Sequence, residues 1–149
     1  MTLSYSLHFI TNIVIADVLK SVFDTDNVER LPQVVGVMYT RGSVFLAHGR
    51  ETDAKNKLRF QQDFNFNSEI SVSYFPDGVS SVNKAMHILL DGLLRWLSET
   101  EDDILLVSNN RDLVFMRQEG ELTVAEKHPY WTSDRLKLIP ESYIAWQNT

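Results

Sequence analysis

The sequence predicts an α+β fold, in which a single antiparallel β-sheet has two main helices packed on one face plus a short C-terminal helix. Three observations support this fold class. Residues 2–9 alternate between polar and apolar side chains, the period of a strand that buries one face. Residues 80–98 carry leucines at helical spacing. The apolar runs of residues 103–124 are separated by short turns, which favour antiparallel pairing.

The chain begins with a strand and a helix. The buried face of the strand is predicted to consist of Leu3, Tyr5, Leu7 and Phe9. His8 falls on the opposite, polar face, where the alternation predicts exposure to solvent. Thr11 and Asn12 are suited to cap the helix that follows. Apolar side chains then recur at helical spacing at Ile15, Val18, Leu19 and Val22.

In the middle of the chain, some segments have a pattern that predicts secondary structure and others do not. Two apolar runs, QVVGVMYT and SVFLAH, flank Arg41-Gly42 and predict a tight hairpin. Residues 49–68 are polar and lack periodicity, so we interpret them as a long loop, an irregular connection or a frayed helix. A strand follows, because Ile70, Val72 and Tyr74 alternate with polar residues.

The second half begins with the strongest helix signal. Residues 80–98 form one apolar stripe, made by Val82, Met86, Leu89, Leu90, Leu93 and Leu97. Strands through residue 124 are joined by turns at SNNRD and at Glu119-Gly120, where Gly120 supplies a positive φ. Thr132 is predicted to cap a short last helix. A length of 149 residues fits a single domain over 1–149, and no internal repeat is visible.

Composition excludes several classes of protein. Cysteine is absent, which removes disulfide frameworks and thiolate metal sites. A net charge of −6 argues against nucleic acid as the main ligand, because phosphate contacts need a basic surface. No apolar run approaches the roughly 20 residues that span a membrane. The N-terminus has no basic region before its apolar stretch, so we expect no signal peptide and a cytoplasmic protein.

No motif predicts catalysis or a cofactor. The histidines, His8, His48, His87 and His128, lack the spacing of metal ligands. Neither a glycine-rich phosphate loop nor a GxSxG nucleophile elbow occurs. Asp91 is the only carboxylate within a strongly apolar segment, and the polar flank of its helix explains it better than a catalytic role. We therefore expect no catalytic residue, no metal and no cofactor.

An acidic segment is the most unusual charge feature. Four carboxylates cluster where the long helix ends, at Glu99, Glu101, Asp102 and Asp103. The helix dipole disfavours negative charge there by a few tenths of a kcal/mol per group, so local stability does not explain the cluster. Two interpretations remain open. The segment is either a solvated loop or a patch that attracts a basic partner protein.

Four segments together resemble a known family. In chain order they are MTLSYSLHF, ISVSYFPDGVSSVNKAMHILLDGLLRWL, DILLVSNNRDLVFMRQEGEL and YWTSDRLKLIPESYI. They resemble the Sit-type immunity proteins of bacterial contact-delivered (polymorphic) toxin systems, over residues 1–20 and 69–144. The resemblance implies a cytoplasmic antidote that binds a cognate toxin domain and blocks it, without catalytic residues. Residues 21–68 have no counterpart in this pattern, and as variable loops they are a reasonable place for partner-specific contacts.

Two functions from different classes are therefore carried forward. An immunity protein would occlude its toxin, with the acidic segment steering a basic partner and Trp96, Trp146 or Phe66 as candidate anchors. The alternative is a small-ligand-binding protein or small hydrolase with a pocket over the sheet. That alternative needs convergent polar side chains in a concavity. Neither reading predicts an oligomeric state.

Overall fold

A computed structural model describes residues 4–77, 81–140 and 142–146. Its elements, in chain order, are β1 (Tyr5–Ile10), α1 (Ile15–Phe23), β2 (Glu29–Arg30), β3 (Met38–Arg41), β4 (Phe45–Glu51), α2 (Ala54–Phe64), β5 (Ile70–Pro76), α3 (Val82–Glu99), β6 (Asp103–Ser108), β7 (Asp112–Gln118), β8 (Glu121–Val124), α4 (Ser133–Leu136) and β9 (Ile144–Ala145). The α+β class is therefore confirmed.

The strands of the described residues form one sheet in the order β2-β3-β4-β5-β1-β6-β7-β8-β9. Neighbouring strands are antiparallel from β2 through β8. The last pair, β8 and β9, is parallel, so the prediction of a wholly antiparallel sheet is wrong at this edge. The chain between these two strands passes through α4, and a crossover of that length permits parallel pairing.

One face of the sheet holds the main core. Tyr5, Leu7 and Phe9 of β1 are buried there as predicted, whereas Leu3 lies outside the described residues. Both α1 and α3 pack on this face, and their buried side chains include the predicted Val18, Leu19, Val22, Leu89 and Leu93. The observed α3 begins at Val82, and the predicted start at residue 80 falls outside the described residues. The hydroxyl of Tyr74 donates to the backbone oxygen of Ala85, which links the sheet to α3.

The opposite face is covered in part by α2. Among the interpretations of residues 49–68, the loop and the irregular connection are wrong and the helix is correct, because the end of β4 and the helix Ala54–Phe64 lie within them. The two predicted main helices do share one face, but the predicted fold lacked α2, whose Phe60 packs with Leu105 and Val107 on the far side of the sheet. The Asp53 side chain caps α2 by accepting from the backbone N–H of Asn56 at 2.8 Å.

Several local predictions are confirmed. The hairpin turns around Gly42, and its backbone N–H donates to Phe45 O. Asn109 and Asn110 adopt left-handed backbone conformations, and Gly120 has a φ of +83°.

The predicted helix caps are confirmed in one of two cases. The Thr132 side chain caps α4. The cap of α1 differs, because Val14 occupies that position without a side-chain bond.

Candidate partner-binding surface

The acidic segment, residues 99–103, divides into two kinds of carboxylate. Asp102 is partly buried and its Oδ2 accepts from the Thr11 hydroxyl at 2.6 Å. Asp103 accepts at Oδ1 from the backbone N–H of Glu119 at 2.9 Å. Glu99 and Glu101 are exposed to solvent. Asp102 and Asp103 therefore hold the local fold, and Glu99 and Glu101 present their charge to solvent, although Glu99 also accepts from the Ser21 hydroxyl of α1.

A buried arginine holds the backbone of the acidic segment through hydrogen bonds. The guanidinium of Arg117 donates to the backbone oxygens of Leu97, Thr100 and Asp102, at 3.1, 2.8 and 2.7 Å. These acceptors surround the C-terminal end of α3, where a cation offsets the helix dipole. The carboxylates of the segment are thus placed beside a fixed positive charge. Nothing in the local sequence around Arg117 indicates these contacts.

A polar concavity of about 400 Å³ lies beside Glu99, between α1 and α3. Its lining residues are Asp17, Lys20, Ser21, Asp24, Thr25, Asp26, Arg95 and Glu99. The Ser21 hydroxyl donates to Glu99 Oε2 at 3.1 Å, and Arg95 Nη1 donates to the backbone oxygen of Val22 at 2.6 Å. The helical pattern of Ile15, Val18, Leu19 and Val22 does not indicate where residues 24–26 lie. The packing of α1 on α3 places them near Glu99.

An apolar groove of about 580 Å³ lies near the start of α1. It is lined by Ile15 and by residues of the loop between β2 and β3, which we call the valine loop, residues 31–37. Val35 is fully exposed on this loop, and Val34 is 46% exposed. Positive φ values at Gln33 and Gly36 shape the loop. This groove lies within residues 21–68, the region proposed for partner-specific contacts.

The aromatic anchors suggested by the sequence do not occupy a free surface. Trp96 and Phe66 are completely buried and belong to the two core clusters. Trp146 is partly buried, with its ring 6.1 Å from that of Phe64. An anchor on the partner's side, entering a groove on this chain, fits the described geometry better than a tryptophan projecting from it.

A second exposed surface is the open half-sheet, the part of the α2 face formed by β3, β4 and β5. Cross-strand register places Tyr39 opposite His48, and Leu46 opposite Phe75. The ring of His48 lies 6.4 Å from that of Tyr39 and 5.7 Å from that of Phe75. Two exposed arginines share this face, Arg41 and Arg50. The open half-sheet is thus aromatic and carries positive charge.

His8 contradicts the exposure predicted for it. Its imidazole is 1% exposed because α2 covers it, with the Phe60 ring 4.2 Å away. The Ser6 hydroxyl lies 2.8 Å from Nε2, and the Ser71 hydroxyl 2.7 Å from Nδ1. Burial lowers the pKa of His8 to about 3, although the Asp53 carboxylate opposes the shift. His8 and Ser6 of this cluster are buried between sheet and helix, and Ser71 is half-buried.

Ser108 and His128 form another serine–histidine pair, with Oγ 2.7 Å from Nε2. The backbone N–H of Tyr130 donates to Nδ1 of His128 at 3.0 Å. Nδ1 is therefore the acceptor, and the neutral ring carries its proton on Nε2 and donates it to Ser108. A ring in this tautomer cannot take the serine proton, so the pair lacks the arrangement of a nucleophile and its base. Burial lowers the pKa of His128, which favours the neutral ring.

The other polar candidates lie on the surface. Asp91 and His87 are exposed on α3, in agreement with a polar flank of that helix. Within residues 4–77, 81–140 and 142–146, no three histidines or carboxylates are grouped to hold a metal ion. Among the helices of that same part of the chain, none is long and apolar enough to cross a membrane.

The fold and these surfaces define an α+β protein with helices on both faces of a mixed sheet, whose serine–histidine pairs are bonded within the fold. A profile of the SitI3-like family matches residues 3–135, so the chain belongs to this family of Sit-type immunity proteins. The match includes residues 21–68, for which the sequence segments alone had shown no counterpart. Among curated proteins and solved structures, the chain has no significant match.

Proposed function

We propose that this protein is a bacterial cytoplasmic immunity protein, which binds and neutralises a cognate toxin domain by occlusion and without catalysis. Membership of the SitI3-like family supports the general class. The geometric observation that supports it most is an exposed apolar groove close to an acidic concavity. Exposed valines beside a groove, here Val34 and the fully exposed Val35, are typical of a surface that another protein covers.

The acidic segment would guide the toxin to this surface. Glu99 and Glu101 face solvent, while Asp102 and Asp103 add charge from within the fold. Opposite charges on two proteins raise their association rate and select against wrong partners. We therefore propose that the toxin presents a basic surface to the acidic segment. A neutralising complex of ordinary size would cover about 1,600 Å² in total, enough to hide a toxin's active site.

Co-expression in bacteria tests this proposal. The probe is the toxin candidate that the proposal predicts beside this chain's gene, namely the C-terminal domain of a large protein encoded directly upstream, expressed from an inducible promoter. We expect growth to stop when that domain is expressed alone, and to recover when this protein is present. A non-cognate toxin of similar size is the control and should remain toxic. Continued growth arrest by the upstream domain, with this protein present and folded, contradicts the proposal.

A further inference from the structure

We propose that the valine loop and the start of α1 receive an apolar anchor side chain of the toxin, and that lysines or arginines flanking this anchor contact the acidic concavity. This inference rests on the proposed function and specifies its binding surface. It assigns the partner's epitope a definite chemistry, an aliphatic or aromatic residue flanked by basic ones.

The apolar half of this surface is the groove between the valine loop and α1. Its volume of about 580 Å³ falls within the range of sites that bind small molecules, so it can hold one or two large side chains. Val34 and Val35 stand at its edge, and Val14 is 64% exposed at the start of α1. Covering such side chains removes apolar surface from water and so stabilises a complex.

The acidic half of this surface also borders α1. Ile15, at the start of the helix, lines the groove, whereas Asp17, Lys20 and Ser21 line the concavity. Side chains two residues apart on a helix point to different sides, so the groove and the concavity lie on different sides of α1. The helix has 9 residues and is roughly 14 Å long, so one interface of ordinary size can cover both. At the far end of the concavity, Ser21 bonds to Glu99.

Charge identifies the class of occupant. The concavity contains four carboxylates, against the cations of Lys20 and Arg95, and Arg95 is bonded to Val22 O. Arg30 lines the groove on the side of the valine loop. The excess of negative charge repels nucleic-acid phosphates. It also disfavours a second copy of this chain, whose own concavity would carry the same charge. A protein with basic residues around an apolar anchor complements both halves.

The open half-sheet is the competing surface on this chain. Its aromatic side chains are suited to an interface, and the neighbouring Glu29 accepts from the Tyr39 hydroxyl. Arg41 and Arg50 outnumber this carboxylate, however, and the excess positive charge would repel a basic partner. The open half-sheet is therefore expected to stay free in the complex. This makes Phe75, which is 41% exposed, a suitable control position.

The experiment compares full-length variants in binding to the purified upstream toxin domain. Val34→Ser/Val35→Ser removes apolar surface without changing charge, and Val35→Ser alone changes only a fully exposed side chain. The matched controls are Leu58→Ser on α2, which is 60% exposed, and Phe75→Ser on the open half-sheet. We expect the double variant to raise Kd by about tenfold or more, mainly through faster dissociation, and the controls to stay within about twofold.

The outcomes distinguish failure of this inference from failure of the proposed function on which it rests. Failure of the wild-type chain to bind the toxin domain contradicts the proposed function, and this inference with it. Binding that the valine variants leave unchanged, or that only Leu58→Ser or Phe75→Ser weakens, overturns the inference alone. Dimerisation of the free chain through the same valines, or binding of a single-stranded oligonucleotide that requires them, would also overturn it. Thermal unfolding of each variant establishes that the chain is folded.

Discussion

At the scale of single residues, His8 couples the fold to pH. Both of its ring nitrogens contact hydroxyls, of Ser6 and Ser71, so the neutral ring is satisfied where it is buried. Burial lowers its pKa from 6.5 to about 3. The unfolded chain, in which the imidazole has its ordinary pKa, therefore binds a proton more readily than the folded chain. The stability that His8 contributes is present above pH 6.5 and is lost as the pH falls towards 3.

We expect this loss to be measurable by urea unfolding at pH 6.5 and pH 4.5. Over this interval the free energy of unfolding of the wild type should fall by about 2 kcal/mol more than that of His8→Gln, which cannot take up this proton. His87→Gln, a change at an exposed histidine of α3, is the control and should keep the wild-type dependence. An identical pH dependence for wild type and His8→Gln would show that His8 is not buried in its neutral form.

The sequence predicted the buried face of β1 correctly and the environment of His8 wrongly. A two-residue period distinguishes the two faces of a strand, but it does not say what covers the second face. The cover comes from Phe60, more than fifty residues along the chain. For the same reason, the contacts of Arg117 with the end of α3 could not be predicted from β7 alone.

At the scale of elements, the contact between α1 and α3 depends on Gly92. A β-carbon at this position would lie 2.6 Å from the backbone oxygen of Val22 and 2.8 Å from its Cγ1. Real β-carbons do not approach backbone so closely, so one helix would have to move. That movement would also disturb the bond from Arg95 to Val22 O. Glycine here permits the close approach that places the polar concavity between these helices.

We therefore expect Gly92→Ala to lower the free energy of unfolding by about 1–3 kcal/mol, the usual cost of overpacking. In an isolated helix the same substitution would be stabilising, because alanine favours a helix by about 1 kcal/mol over glycine. Asp91→Ala, at the exposed neighbouring position, is the control and should change stability little. Denaturant unfolding measures both, and a Gly92→Ala protein as stable as the wild type would contradict the close approach.

The helices and strands with a clear apolar periodicity were predicted from the sequence, and those without one were not. The stripes of α1 and α3, with several buried positions each, predicted both helices, and the asparagine and glycine turns predicted the hairpins. For α2 the sequence left a helix as one of three interpretations, because Phe60 is its only fully buried residue and no stripe appears. The short β9 lacks any pattern and pairs only through residues 144 and 145. Its parallel direction follows from the path of the chain rather than from local sequence.

At the scale of the whole molecule, the charge distribution separates two surfaces. The net charge of −6 includes the acidic segment and the concavity beside it, whereas Arg41 and Arg50 occupy the open half-sheet. The sequence predicted the acidic segment because its carboxylates are contiguous. It could not predict that Asp17, Asp24 and Asp26 would join them, since the packing of two helices brings these residues together.

The central claim is that this chain captures a toxin through its acidic, valine-lined side. The most direct test is the association rate with the upstream toxin domain, measured by stopped flow for the wild type and for Glu99→Lys/Glu101→Lys, at low and high salt. This variant leaves Asp102 and Asp103, which hold the fold, unchanged. We expect wild-type association to slow with added salt, and the variant to associate about tenfold more slowly at low salt only. Equal rates for both proteins at low salt, or no association by the wild type, would contradict the claim.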